Sequence, residues 1–170
     1  MKYTSSEANK LLKEKNDLLQ KLVKKESLVS EFVVSLGEDP ESVRPDYSYQ
    51  DTQAKVQQLE KEIRTIKHSI NVFNTTTIIP EYNITIDEML VLIPQLTKNK
   101  SKLERMASML PKQRKQSDYY RTSNIVEYTY ANFDIATVEE DYLKLTKELA
   151  KAQTALDTIN NTVTFDIPIE

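Results

Sequence analysis

Apolar residues recur every three or four positions through most of the chain, which is the spacing that places them along one face of an α-helix. This pattern predicts four long helices, over about residues 4–36, 51–73, 85–110 and 137–159. The second helix has the narrow repeat of a coiled-coil seam. Packing against other helices of the same chain explains this seam better than a dedicated dimer zipper, because the later helices offer matching seams.

Three of these helices begin with a threonine followed by a glutamate three residues later, which is the spacing of a capping box. The pairs are Thr4 with Glu7, Thr85 with Glu88 and Thr137 with Glu140. At the end of the first helix, Gly37 can supply a left-handed C-terminal cap. Inside the third, Pro94 lacks a backbone N–H, and we expect a bend there.

Other segments are rich in β-branched and aromatic residues, which are typical of strands. We predict a strand or hairpin arm over residues 119–135, a closing strand over 162–167 and an extended excursion or short hairpin over 74–84. Residues 112–118, ahead of the arm, are polar. The predicted fold is therefore mainly all-α, with long antiparallel helical hairpins or a four-helix bundle and a small β element, in a single elongated domain over residues 1–170.

Composition narrows the chemistry that the chain can carry. Among 170 residues there is one glycine, no cysteine and one histidine, so glycine-rich phosphate loops, thiol nucleophiles, cysteine zinc sites and multi-histidine metal sites are excluded within one chain. The histidine, His68, falls opposite the seam of its helix, and we expect a solvated surface residue. The sequence predicts no enzyme activity, no catalytic residues, no cofactor and no metal; carboxylates brought together from separate helices are the remaining route to a site.

The longest uninterrupted apolar run, residues 89–93, has five residues, far short of a membrane span. The first residues lead directly into a charged helical pattern without an apolar signal segment. We therefore expect a cytoplasmic protein with no membrane partner.

The net charge is only −3, but basic residues are unevenly placed. Residues 98–115 contain seven basic side chains and a single acid, Glu104, and aromatic residues follow directly. Phosphates and unpaired bases would suit such a stretch, although the acidic connection at residues 38–41 could pair with it instead. The candidate contacts for a polyanion or a protein partner are Lys98, Lys102, Arg105, Lys112, Arg114, Lys115, Tyr119 and Arg121.

Long helices with narrow apolar stripes rarely enclose a ligand pocket, whereas their flanks are easily used for assembly. The leading functional prediction is therefore a non-enzymatic structural or protein-interaction module whose long helices and tyrosine-rich arm, within residues 119–135, bind copies of itself or another protein. The alternative prediction is a nucleic-acid-binding module that uses the basic stretch 98–121.

Several short segments carry a resemblance to a known family. They are Gly37-Glu38-Asp39-Pro40, Ile70-Asn71-Val72-Phe73-Asn74, Ile84-Thr85-Ile86-Asp87, and Tyr119 and Arg121 ahead of Asp134-Ile135. In order and spacing the chain resembles a family of bacterial helical proteins sometimes labelled septicolysin. That label implies pore formation, but no segment here resembles a membrane-inserting one, so the resemblance implies a fold rather than an activity.

Overall fold

The structure, a computed structural model, describes residues 1–115 and 126–169 and is 67% helical. The mainly all-α fold with a small β element is therefore confirmed. The chain divides into two compact units, one formed by Met1–Thr77 with Thr158–Glu170 and the other by Ile78–Asp157. The expectation of one elongated domain stays a prediction.

Five helices and six short strands make up the secondary structure of the described residues. In chain order they are β1 (Lys2–Thr4), α1 (Ser5–Val29), α2 (Pro40–Val43), α3 (Tyr49–Thr76), β2 (Ile78–Ile79), β3 (Ile84–Thr85), α4 (Ile86–Ala107), β4 (Lys112–Arg114), β5 (Tyr128–Tyr130), α5 (Ile135–Thr162) and β6 (Thr164–Asp166). The strands form three antiparallel pairs, β1 with β6, β2 with β3 and β4 with β5. The predicted closing strand and the excursion after the second helix, which is the β2–β3 hairpin, are thus confirmed.

In the first unit, α1 and α3 pack as an antiparallel hairpin. Contacts at increasing residue numbers in α1 involve decreasing residue numbers in α3. They are Ala8 with Ile66, Lys15 with Glu62, and Glu26 with Gln53. The buried residues of α3 are those of its predicted seam, Ile63, Ile66, Ile70 and Phe73. Burial fades toward the start of α3, where Val56 and Leu59 are only half-buried.

The two ends of the first unit's sequence meet in one small sheet. The N–H of Ile167 donates to the carbonyl of Met1 at 3.0 Å, and the Met1 amine donates to the Ile167 carbonyl at 3.2 Å. Phe165 of β6 stacks on Phe73, with ring centroids 4.4 Å apart. Ile167, which has no exposed surface, joins Ala8 in the core and closes this end of the hairpin.

The second unit contains another antiparallel pair of helices, α4 and α5. The Lys100 ammonium lies 6.0 Å from the ring centroid of Tyr142, and Lys151 lies 5.5 Å from that of Tyr82, beside the β2–β3 hairpin. The β4–β5 ribbon joins the helices at the opposite end. Pro94 lies inside α4, and the bend expected there stays a prediction.

The prediction that the first helix reaches Leu36 is wrong, because α1 ends at Val29 and the Ser30 N–H closes its last turn on the Glu26 carbonyl at 2.9 Å. Beyond that point Val33 is 94% exposed. A helix depends on packing of its apolar face for most of its stability, and Leu36 is as fully exposed as Val33. Gly37, with φ +91°, serves a separate turn rather than the end of the helix.

The capping boxes predicted at Thr4 and Thr85 are present, but the one at Thr137 is wrong. The last helix begins two residues earlier, and Asp134 caps it by accepting hydrogen bonds from the Ala136 N–H at 3.1 Å and the Thr137 hydroxyl at 2.7 Å. These hydrogen bonds hold the pKa of Asp134 below its ordinary value. Asp134 rather than Thr137 caps the helix because the Asp134 carboxylate accepts both hydrogen bonds.

The β element near residues 119–135 is confirmed only in part. Its described strand is β5, and residues 116–125, including Tyr119, lie outside the described residues. The partner strand, β4, falls within the polar stretch 112–118, for which no strand was predicted. The Lys112 ammonium in β4 makes cation–π contacts across the ribbon with the rings of Tyr128 and Tyr130 in β5.

We expect Thr85→Ala to lower the free energy of unfolding by about 1 kcal/mol, because α4 would lose the side chain that accepts from the Glu88 N–H. Urea denaturation measures the change. The control is Thr97→Ala, in the interior of the same helix, where alanine favours helix and no cap is lost. Equal effects of the two substitutions would contradict the capping role.

A second prediction concerns the partly buried ion pair between α1 and α3. The Lys15 ammonium, 2.7 Å from Glu62, and then the Gln58 amide hold the pKa of Glu62 below its ordinary value of 4.5. The stabilisation is therefore present above pH 4.5 and is lost as the pH falls through the lowered pKa. We expect Glu62→Gln to cost about 0.5–1 kcal/mol at pH 7 and to flatten the acid dependence of stability, unlike Glu60→Gln. Urea denaturation at a series of pH values measures both effects, and identical pH profiles for the two variants would contradict this account.

Candidate interaction surfaces

The first candidate surface is an open apolar groove of about 670 Å³ on one flank of the α1–α3 hairpin. Leu18 and Leu22 of α1 and Leu59 of α3 supply its apolar lining, and Leu18 is 42% exposed. All three belong to the apolar repeats that predicted these two helices. The structure leaves them only half-covered, because two helices alone cannot enclose the stripe between them on both sides.

Charged and polar side chains of α3 form one edge of this groove. Asp51, Lys55 and Gln58 follow the helix at successive turns, with the acid and the base four residues apart. Asp51 also lies in the first turn of α3, where the helix dipole favours a negative charge. The edge therefore carries opposite charges about 6 Å apart along the helix axis.

A hydrogen-bonded clasp closes the connection end of the hairpin. The Tyr47 hydroxyl donates to the Glu26 carboxylate at 2.6 Å, and the Gln53 amide donates to the same oxygen at 2.9 Å. The bond to Glu26, followed by burial, raises the pKa of Tyr47 to about 12. The hydroxyl consequently remains a donor throughout the physiological range and ties the connection to α1.

The second candidate surface contains the basic residues singled out by the sequence. Lys98, Lys102 and Arg105 lie on α4, Lys112 and Arg114 on β4, and Lys115 directly after β4. Tyr119 and Arg121 lie outside the described residues. The six described residues are all exposed, but they do not form one uniform patch: Lys102 lines a groove with Asp141 and Glu148 of α5, and Lys115 pairs with Glu127 at 3.0 Å.

Tyr128 and Tyr130 belong to the tyrosine-rich arm that was predicted to bind a protein partner, but they were not among the candidate contact residues. Their alternation indicated a strand, but their neighbours depended on pairing with β4. The structure places Lys112 opposite Tyr130 and Arg114 opposite Tyr128. The tyrosines thus share one face of the ribbon with two of the predicted basic residues.

His68 is exposed, as predicted. Within residues 1–115 and 126–169, no three histidine, aspartate or glutamate side chains come close enough together to hold a metal ion. In the same part of the chain, no helix combines the length and the apolar character needed to cross a membrane.

No family model and no curated protein matches the chain. Among solved structures, it is similar to a functionally unknown conserved protein from Corynebacterium diphtheriae, with a TM-score of 0.60 and 18% sequence identity, over 98% of this chain and 100% of that one. The two chains share a fold. A structural likeness at 18% sequence identity does not indicate an activity. The resemblance to the septicolysin-labelled family stays a prediction.

The clasp makes a testable prediction. We expect Tyr47→Phe to increase proteolytic cleavage and amide hydrogen exchange within residues 30–48, because the connection loses its bond to Glu26. Tyr49→Phe is the control, since Tyr49 is 65% exposed. Unchanged protection in Tyr47→Phe would show that the clasp does not hold the connection.

Proposed function

We propose that this protein is a non-enzymatic, cytoplasmic interaction module that self-associates through the apolar groove of its α1–α3 hairpin. The observation that carries the proposal is the half-exposed stripe of Leu18, Leu22 and Leu59 between two adjacent helices. Apolar surface left on a helix pair is stabilised by covering it with further helices. A second α1–α3 hairpin would supply such helices.

The charged edge of the groove favours a second copy over an unrelated partner. In a two-fold symmetric interface, each residue meets its counterpart in reverse order along the antiparallel partner helix. With the axis near residue 53, Asp51 of one copy faces Lys55 of the other, and the same pair repeats on the other side of the axis. The groove edge is thus complementary to itself.

The apolar part of the interface is tested by Leu18→Glu. The substitution introduces charge into the groove at a side chain that is already 42% exposed, so folding should be retained. We expect sedimentation velocity to detect dimers of the unmodified chain at micromolar concentrations and at least tenfold weaker association of the variant. Leu143→Glu, at a 53% exposed leucine of α5, is the matched control and should associate normally.

The charge pairing gives a sharper test. Asp51→Lys places two lysines opposite each other and should weaken the dimer, whereas adding Lys55→Asp restores an opposite-charge pair across the axis. The double variant also restores an opposite-charge pair four residues apart within α3, so urea denaturation of each variant is needed to separate recovery of the dimer from restored helix stability. We expect recovery only in the double variant.

A strict monomer across micromolar concentrations would remove the self-association proposal. Capture of a different protein that competes for Leu18 would replace the second copy with that partner. Loss of association in both Leu18→Glu and Leu143→Glu would place the interface elsewhere.

A further inference from the structure

The β4–β5 ribbon has one face of unusual composition. Directly paired residues of an antiparallel ribbon project to the same side, and alternate residues of one strand do too. The register pairs Lys112 with Tyr130 and Arg114 with Tyr128. These four residues, named here the ribbon face, place two cations beside two phenol rings without an acid among them.

The hydrogen bonds of the ribbon explain why these side chains crowd together. The Lys115 N–H donates to the Glu127 carbonyl at 2.9 Å, and the Ala131 N–H donates to the Pro111 carbonyl at 3.2 Å. Hydrogen-bonded and non-hydrogen-bonded pairs alternate along an antiparallel ladder, so the ribbon-face pairs are of the second kind. Side chains of such pairs stand closer together.

The packing on this face is ordered but remains accessible. The Lys112 ammonium lies 4.2 Å from the ring centroid of Tyr128 and 5.3 Å from that of Tyr130, a cation–π arrangement that fixes the position of the charge. The tyrosines are nevertheless 48% and 62% exposed. A ligand would therefore meet a positioned cation and open aromatic surface together.

Local charges favour the ribbon face over the helical part of the basic stretch. On α4, Lys102 lines a groove together with Lys144, Asp141 and Glu148, so the two acids there offset the two bases. Lys115 is on the opposite face of the ribbon and pairs with Glu127. Lys112 and Arg114 have tyrosines as cross-strand neighbours, so their charge is not offset within the ribbon face.

We infer that the ribbon face binds single-stranded nucleic acid. Lys112 and Arg114 contact phosphates, and Tyr128 and Tyr130 provide surfaces on which unpaired bases stack. Phosphate neutralisation gives affinity, and stacking distinguishes single strands, whose bases are open, from duplexes and from anions without aromatic groups. This inference is independent of the proposed self-association, because the ribbon and the groove share no residue.

The experiment uses the full chain and a fluorescein-labelled oligothymidine of about twenty nucleotides, longer than one site. Fluorescence anisotropy measures affinity between about 50 and 200 mM salt, the range over which phosphate contacts lose strength. We expect K112Q/R114Q to weaken binding about tenfold at low salt and to reduce the slope of log affinity against log salt by about 1.4. The control, K98Q/K102Q on α4, removes the same charge and should change affinity less than twofold.

The aromatic contribution is tested separately with Tyr128→Leu and Tyr130→Leu. Each should weaken oligothymidine binding about tenfold without changing the salt slope, because stacking releases no counterions. Heparin, a polyanion without bases, should be insensitive to these two substitutions. Circular dichroism establishes that each variant retains its helices.

Three outcomes would overturn the inference. The first is no oligothymidine binding at low salt. The second is equal weakening in K112Q/R114Q and K98Q/K102Q, which would indicate general electrostatic attraction. The third is that the ribbon-face substitutions leave oligothymidine binding unchanged but weaken binding of phosphatidylserine vesicles or of an acidic peptide.

Discussion

The close packing of Ala8 against α3 governs the first unit. Ala8 has no exposed surface and only a methyl side chain, so α1 and α3 approach closely where Ile66 and Ile70 lie. Ile167 then covers this contact. Toward the connection end the larger side chains of Leu18, Leu22 and Leu59 line the interface and stay partly exposed, which leaves the groove. The size of the residues along the α1–α3 interface thus explains both features of the hairpin: its closely packed end at Ala8 and its open groove at Leu18.

Local signals predicted much of the fold, and the errors have local physical causes. The capping boxes at Thr4 and Thr85 depend on residues three positions apart and were predicted correctly. The box at Thr137 failed because Asp134 offers a stronger acceptor a few residues earlier. The first helix was extended too far because its apolar period continues after Val29, although the structure provides nothing for Val33 to pack on.

The candidate surfaces were harder to predict because they depend on which elements meet. The sequence shows the basic residues from Lys98 to Lys115 as one run. It does not show that some of them lie on α4 and others on the β4–β5 ribbon. The ribbon face requires the register of two strands separated by more than ten residues, which fixes Arg114 opposite Tyr128. Likewise, the apolar repeats that contain Leu18 and Leu59 each indicate one face of a helix. They cannot show how completely a neighbouring helix covers that face.

The pairing of β1 with β6 has a consequence for the order of folding. Met1 and Ile167 are separated by 166 positions, and contacts between such distant residues form only after a long loop has closed. During vectorial synthesis on the ribosome, α1 and α3 emerge well before Ile167. Until Ile167 has emerged, the nascent hairpin presents Ala8, Ile66 and Ile70 without their cover, so a segment made much later completes the first core to emerge.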